Sequence, residues 1–245
     1  RAGRSRPTMT IKGFLITFLM PEKCYETFFV DLHPHVACLT FVLEKTFGFW
    51  ILLDLLLEQL PQLLKILWRR SSAGLSLTSA LLQLHACSCP VLHAAANSLP
   101  LYSWGERLLT LAQAAAVVFL IVHYRSDTVK GLWLLSAYSV AMFLLGSYAA
   151  PAVISLLHET SLAAFIASKG FQARTNHVNG HTGQLSSVSV LLSWAGSLGL
   201  TFIALQERES LPSIAAHILS TCLSCVLMAQ IYCYRNRKHV LKNRN

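Results

Sequence analysis

From Phe47 to Trp68 nearly every position is apolar, and five polar residues interrupt it, four of them being Asp54, Glu58, Gln62 and Lys65. Their spacings of four, four and three put them on one face of a helix. The segment is long enough to cross hydrocarbon. Six further apolar stretches follow, at 75–97, 107–124, 129–149, 153–173, 185–206 and 213–234. The fifth is the least regular, because His158 and Glu159 interrupt it. Residues 24–43 mix both characters around His33-Pro34-His35 and read as an amphipathic segment at the membrane interface. Residues 1–8 stand ahead of Met9 and read as an extension before a natural start. The pattern predicts an all-α polytopic membrane protein with seven transmembrane helices.

Shifting the chain on itself by 110 residues exposes a repeat. Gln62 falls on Gln172, Leu75-Ser76 on Leu185-Ser186, Ser79 on Ser189 and Leu81-Leu82 on Leu191-Leu192. Ser103 falls on Ser213, and Tyr124-Arg125 on Tyr234-Arg235. Leucine matches are cheap in such a composition, whereas polar matches at both ends of one frame are not. Spans one to three and five to seven therefore read as two copies of a three-helix unit. The single helix between them returns the chain across the membrane, so the second copy enters in the same orientation as the first. The expected layout is 3+1+3, with parallel repeats about the membrane normal. Its parts are an extension and interfacial segment at 1–46, a first repeat at 47–125, a linker helix at 126–150, a second repeat at 151–235 and a basic tail at 236–245.

Composition agrees. Of 245 residues, 54% are hydrophobic and 13% charged, where soluble domains carry about a quarter charged. Seven spans leave no room for a large soluble catalytic domain. The net charge of +9 is distributed by topology. Arg69, Arg70, Arg125, Lys130, Arg174 and the tail's Arg235, Arg237, Lys238, Lys242 and Arg244 follow the odd-numbered spans. The positive-inside rule then puts the C-terminus in the cytosol and the N-terminus across the membrane. These residues form no basic patch with interleaved aromatics, so no nucleic-acid partner is expected. Cys87, Cys89, Cys222, Cys225 and Cys233 lie in apolar segments, where cysteine behaves as a small hydrophobe. Cys24 and Cys38 precede the first span and are either paired or free.

Several residues are candidates for function. Pro61 removes a backbone hydrogen bond and predicts a kink or hinge in the first span. Asp54 and Glu58 are too costly to face lipid, so the stripe with Gln62 should look into the bundle or a cavity. Gln172, Asn97 and Trp194 are further cavity candidates. Thr175 to Gln184 reads as a cytosolic turn bearing Asn176, His177, Asn179 and His181. Two histidines without a third ligand make a poor metal site, so neither metal nor cofactor is expected. Only three aspartates occur, Asp31, Asp54 and Asp127, with no paired acidic motif, nucleophile triad or phosphate loop. The expectation is a protein that is not an enzyme.

The stretch "LPQLLKILWRRSSAGLSLTS" resembles the signature of the PQ-loop family, the group that includes the SWEET and cystinosin transporters. Four other stretches, "PEKCYETFFV", "SWGERL", "HYRSDTVKG" and "NHVNGHTGQLSSVSVLL", resemble the branch of that family concerned with mannose-phosphate-dolichol utilization. The likeness runs from about Pro21 to Tyr234. It implies an endoplasmic reticulum membrane protein needed for mannose-phosphate-dolichol and glucose-phosphate-dolichol to serve as lumenal glycosylation donors, in N-glycan and GPI-anchor assembly. Such a protein would handle or flip the lipid-linked sugar, or assist the dolichol-dependent glycosyltransferases. The wider family offers the alternative of a small-solute carrier for a sugar or amino acid. In the second copy Phe171-Gln172 stands where the first has Pro61-Gln62.

Overall fold

A computed structural model describes residues 24, 38–43, 45–46, 57–101, 104–208 and 210–242, with side chains as far as 235. The chain divides into two compact units, Arg1–Trp50 and Ile51–Asn245. In the first, Cys24 and Cys38 form a disulfide, which settles the alternative left open above. Most of the interfacial segment, including His33-Pro34-His35, lies outside the described residues, as does Asp54.

The second unit is helical: α1 (Leu60–Arg69), α2 (Leu77–Ala96), α3 (Gly105–Arg125), α4 (Thr128–Tyr148), α5 (Pro151–Asn179), α6 (Ser187–Gln206) and α7 (Leu211–Lys242). Their ends follow from local chemistry. Ser76 and Ser186 cap α2 and α6, each hydroxyl accepting from the backbone N–H three residues on. Asp127 does the same for α4 from Val129. Pro151 opens α5, where a missing N–H is harmless. Gly180 closes α5 in the left-handed conformation at φ 66°.

Among the described residues, five helices, α3 to α7, are long and apolar enough to cross a membrane. The chain is a polytopic membrane protein. In α2, Gln83, His85, Pro90 and His93 dilute a 20-residue helix. Of the first expected span, only the part from residue 57 is described, so its ten-residue helix α1 does not reach membrane length. α4 presents Leu132, Trp133, Val140, Phe143 and Tyr148 outward, an apolar surface suited to lipid and not to water.

Packing within each half is joined by two cross-connections. α3 lies on α2, and α7 lies on α6 and α5. α2 lies along α5, and α1 touches α3 and α6, while α4 leans on α3 and α2. A small apolar core of Ile66, Leu75, Val117 and Ile121 ties α1 to α3, and Leu84, Ala114 and Val118 join α2 to α3. α2 and α6 have the same length and stand 110 residues apart at both ends. α1 and α5 end in that same frame, with Arg70 and Gly180 both left-handed.

The chain breaks just before Pro61, after a helical residue at 57, and one expectation changes. The chain bends at Glu58 and Gln59, and Pro61 occupies the first turn of the helix that starts beyond the bend. Asn176, His177 and Asn179 do not lie in a turn, because α5 runs on through Asn179 until Gly180 can adopt the left-handed cap. The turn proper is short and begins at Gly180, followed by His181.

Candidate functional site

The two turns that follow α1 and α5 meet. Gln184 N–H donates to Ala73 O at 2.9 Å. Gly74 and Gly183 pack backbone to backbone, so that a Cβ on Gly74 would lie 2.9 Å from the Gly183 Cα. Both glycines also hold positive φ, 82° and 50°.

Two glutamines fasten this junction. Gln62, from α1, donates through Nε2 to Gln184 O at 3.0 Å and accepts through Oε1 from Ser186 N–H at 2.7 Å. Gln172, from α5, donates to Gly74 O at 3.0 Å and accepts from Ser76 N–H at 2.9 Å. Every atom of one clasp maps onto the other by the 110-residue shift: 62 to 172, 74 to 184, 76 to 186. An amide side chain is the group that can grip a C=O and an N–H of an extended segment together. Lys65 adds a bond to Leu185 O at 2.6 Å, and Arg125 one to Leu75 O at 2.6 Å.

Above the clasps, between α1, α2, α3 and α5 to α7, lies a chamber of about 90 Å³. Each water needs about 10–15 Å³ of such space, so it holds a handful. Glu58, at the bend before α1, faces it together with Gln59, Gln83, Lys169, Ser189 and Ser193. Gln83 Nε2 stands 3.5 Å from Glu58 Oε1, and Ser193 hydrogen-bonds the same carboxylate. Lys169 supplies the opposite charge to Glu58. Its Nζ donates to the hydroxyls of Ser197, Ser220 and Ser224. Behind the clasp, Gln172 donates to Asn176, Asn176 to Gln230, and Gln230 to Ala173 O, at 2.8, 2.9 and 3.0 Å. Such a buried network is stable only when each member finds its partners.

At the opposite ends of α2 and α5, the rings of His93 and His158 stack with centroids 4.6 Å apart. A second cavity of about 330 Å³ lies between α2, α3 and α4. Its walls include Leu84, Val91, Leu135 and Phe143, and one polar point, where Tyr138 Oη donates to Ser88 Oγ at 2.9 Å.

The structure therefore gathers Glu58, Gln62 and Gln172 at one chamber. It does not bring Asn97 or Trp194 there. Asn97 is exposed at the C-cap of α2 and donates to His93 O, while Trp194 Nε1 stands 3.1 Å from Cys225 Sγ between α6 and α7. His177 is exposed on the last turn of α5. Sequence reasoning missed Lys169, Gln83 and the serines of α6 and α7. It also misplaced Asn176, which is wholly buried.

Residues 43–103, which hold the first clasp glutamine and both halves of its turn, match the PQ loop repeat. The match covers about a quarter of the chain and shows one PQ loop repeat within it. No solved structure matches it. Within the matched repeat, Pro61 and Gln62 divide the labour. Pro61 starts α1 afresh below a bend that carries Glu58, and Gln62 fastens the partner turn. In the second frame Phe171 replaces the proline, and α5 runs unbroken through the position while Gln172 keeps its clasp.

Proposed function

We propose that this PQ-loop membrane protein enables mannose-phosphate-dolichol and glucose-phosphate-dolichol to be used as lumenal glycosylation donors in the endoplasmic reticulum, as a mannose-P-dolichol utilization defect 1 type of protein. It does so without catalysing a reaction, by handling or flipping the lipid-linked sugar or by assisting the dolichol-dependent glycosyltransferases. In this reading α1 with the residues before it and α2 also cross the bilayer. The seven spans form two parallel three-helix repeats, joined by α4. The matched lengths of α2 and α6 and the two clasps in one 110-residue frame support that layout. A cytosolic C-terminus follows from the basic loops, and a disulfide at Cys24–Cys38 suits an N-terminus in the oxidising lumen.

The observation that carries the reading is a chamber that holds Glu58 and Lys169, together with a second cavity walled in part by the lipid-facing helix α4. A lipid-linked sugar needs both: polar groups for its hydroxyls, and room for a hydrocarbon chain. The decisive experiment reconstitutes purified protein in liposomes with labelled mannose-phosphate-dolichol. Leaflet exchange faster than in empty vesicles is expected for a flippase, and no acceleration leaves only the accessory role. Cells lacking the protein should accumulate truncated lipid-linked oligosaccharides while donor synthesis continues. Full-length oligosaccharides there would overturn the reading.

One observation favours a second reading, carriage of a small sugar or amino acid. The chamber is closed on the turn side by the paired clasps and is only about 90 Å³, which suits a small solute held between two gates. Uptake of labelled solutes into the same liposomes distinguishes the two.

A further inference from the structure

Lys169 is buried in α5, and an ionisable group inside a membrane bundle marks a working site unless its surroundings are built to hold the charge. Here they are built. Nζ donates to Ser197 Oγ at 2.7 Å, Ser220 Oγ at 2.9 Å and Ser224 Oγ at 2.8 Å. An ammonium has three hydrogens, and each meets a hydroxyl oxygen. The ring of Phe165 lies 4.4 Å from Nζ and offers its π face. Two of the three serines are turned to accept. Ser197 Oγ donates to Ser193 O at 2.7 Å and Ser224 Oγ to Ser220 O at 3.1 Å, so these protons are spent within their own helices. Lone pairs face inward, the polarity of a cation site and the reverse of an anion site. Glu58 supplies negative charge nearby.

The cage does not come with the fold. The residues 110 positions earlier are Gln59, Cys87, Thr110 and Ala114, which lack both the ammonium and the ring of hydroxyls. The feature belongs to one half of the bundle only.

We propose that Ser197, Ser220, Ser224 and the Phe165 ring form a recognition site for a primary ammonium ion, with Lys169 as its built-in occupant. The tethered ammonium joins α5 to α6 and α7 with no external cation. Removing the lysine side chain leaves a site that a free small ammonium ion fills. This goes beyond the function proposed above and does not rest on it.

The test measures thermal unfolding of purified Lys169→Ala in detergent by tryptophan fluorescence. Methylammonium chloride is compared with tetramethylammonium chloride at equal concentration. Methylammonium carries three N–H donors; tetramethylammonium has the same charge and none. The variant should melt below the parent, and methylammonium should restore most of the lost melting temperature while tetramethylammonium restores none. The parent should respond to neither. Equal response to both salts, no response to methylammonium, or an unaltered melting temperature in the variant overturns the proposal. If Lys169→Ala cannot be purified, a double-mutant cycle of Lys169→Met with the pair Ser220→Ala and Ser224→Ala decides instead. The serine changes should lower the melting temperature of the parent and leave that of Lys169→Met nearly unmoved; additive losses overturn the proposal.

Discussion

Replacing Gln172 by methionine keeps the length and volume of the side chain and removes its amide. Two backbone groups of the opposite turn, Ser76 N–H and Gly74 C=O, then lose their partners, and Asn176 Oδ1 loses a donor. A buried group left unpaired costs about 1–3 kcal/mol. Side-chain hydrogen bonds between membrane helices measure less, averaging about 0.6 kcal/mol, because a released partner finds another. The first figure should govern here. The orphaned groups are backbone atoms in a turn pinned against Gly183, and they cannot swing to a new partner. Gln172→Met should therefore cost about 2 kcal/mol or more. Gln83→Met is the control. Its one described bond is a long 3.5 Å contact to Glu58, and the loss should stay below about 1 kcal/mol. Unfolding in graded detergent, followed by tryptophan fluorescence, gives both values on one scale. Gln62→Met should behave like Gln172→Met. The double variant should lose less than the sum, since both clasps hold the same junction. A Gln172→Met loss no larger than that of Gln83→Met would refute the clasp.

Other expectations concern the backbone and the charges. Gly183→Ala should fold poorly at any temperature, because its Cβ would overlap the Ala73 carbonyl and the residue sits at positive φ; retention of parental melting behaviour would contradict the packing of the turns. Pro61→Ala should change stability by less than about 1 kcal/mol, the proline being in a first turn, yet reduce function by letting the helix extend back through Glu58. Parallel loss of folded protein and function would show that the bend is only structural. Glu58→Gln and Lys169→Met should each lower the melting temperature by leaving the opposite charge without its counterpart, whereas the double variant should recover part of both losses. A double variant worse than either single one would exclude charge pairing across the chamber.

Much of the helical frame was legible because its signal is local. Apolar runs gave six of the helices to within a few residues, except at the end of α5 and at the tail end of α7, and serine caps marked where α2 and α6 begin. The repeat was legible too, since polar residues recur at one offset, but the clasps it carries were not, because each joins segments about 100 residues or more apart. The misses have physical causes. Asn179-Gly180 is a strong turn signal, so the helix before it looked finished at 173, although glycine ends a helix from the position after its last residue. The repeat already held the correction, since Arg69 and Arg70 fall on Asn179 and Gly180 in the same frame. Asp54, Glu58, Gln62 and Lys65 share a face only on a continuous helix, and the bend at Glu58 and Gln59 breaks that register.

Lys169 was invisible for a deeper reason. In sequence it is one basic residue between Ser168 and Gly170, near Arg174, and it looks like the basic end of a span. What makes it a chamber residue is a set of three hydroxyls on two other helices, 28 to 55 residues away, and serine is common enough that no spacing announces them. The repeat could not reveal them, because their counterparts differ. Duplication thus makes legible what the two halves share, the glutamines of the clasps. It hides what they do not share, the carboxylate from one half and the ammonium from the other. The residues that depart from the repeat, Glu58 and Lys169, are therefore better guides to its chemistry than the glutamines that obey it.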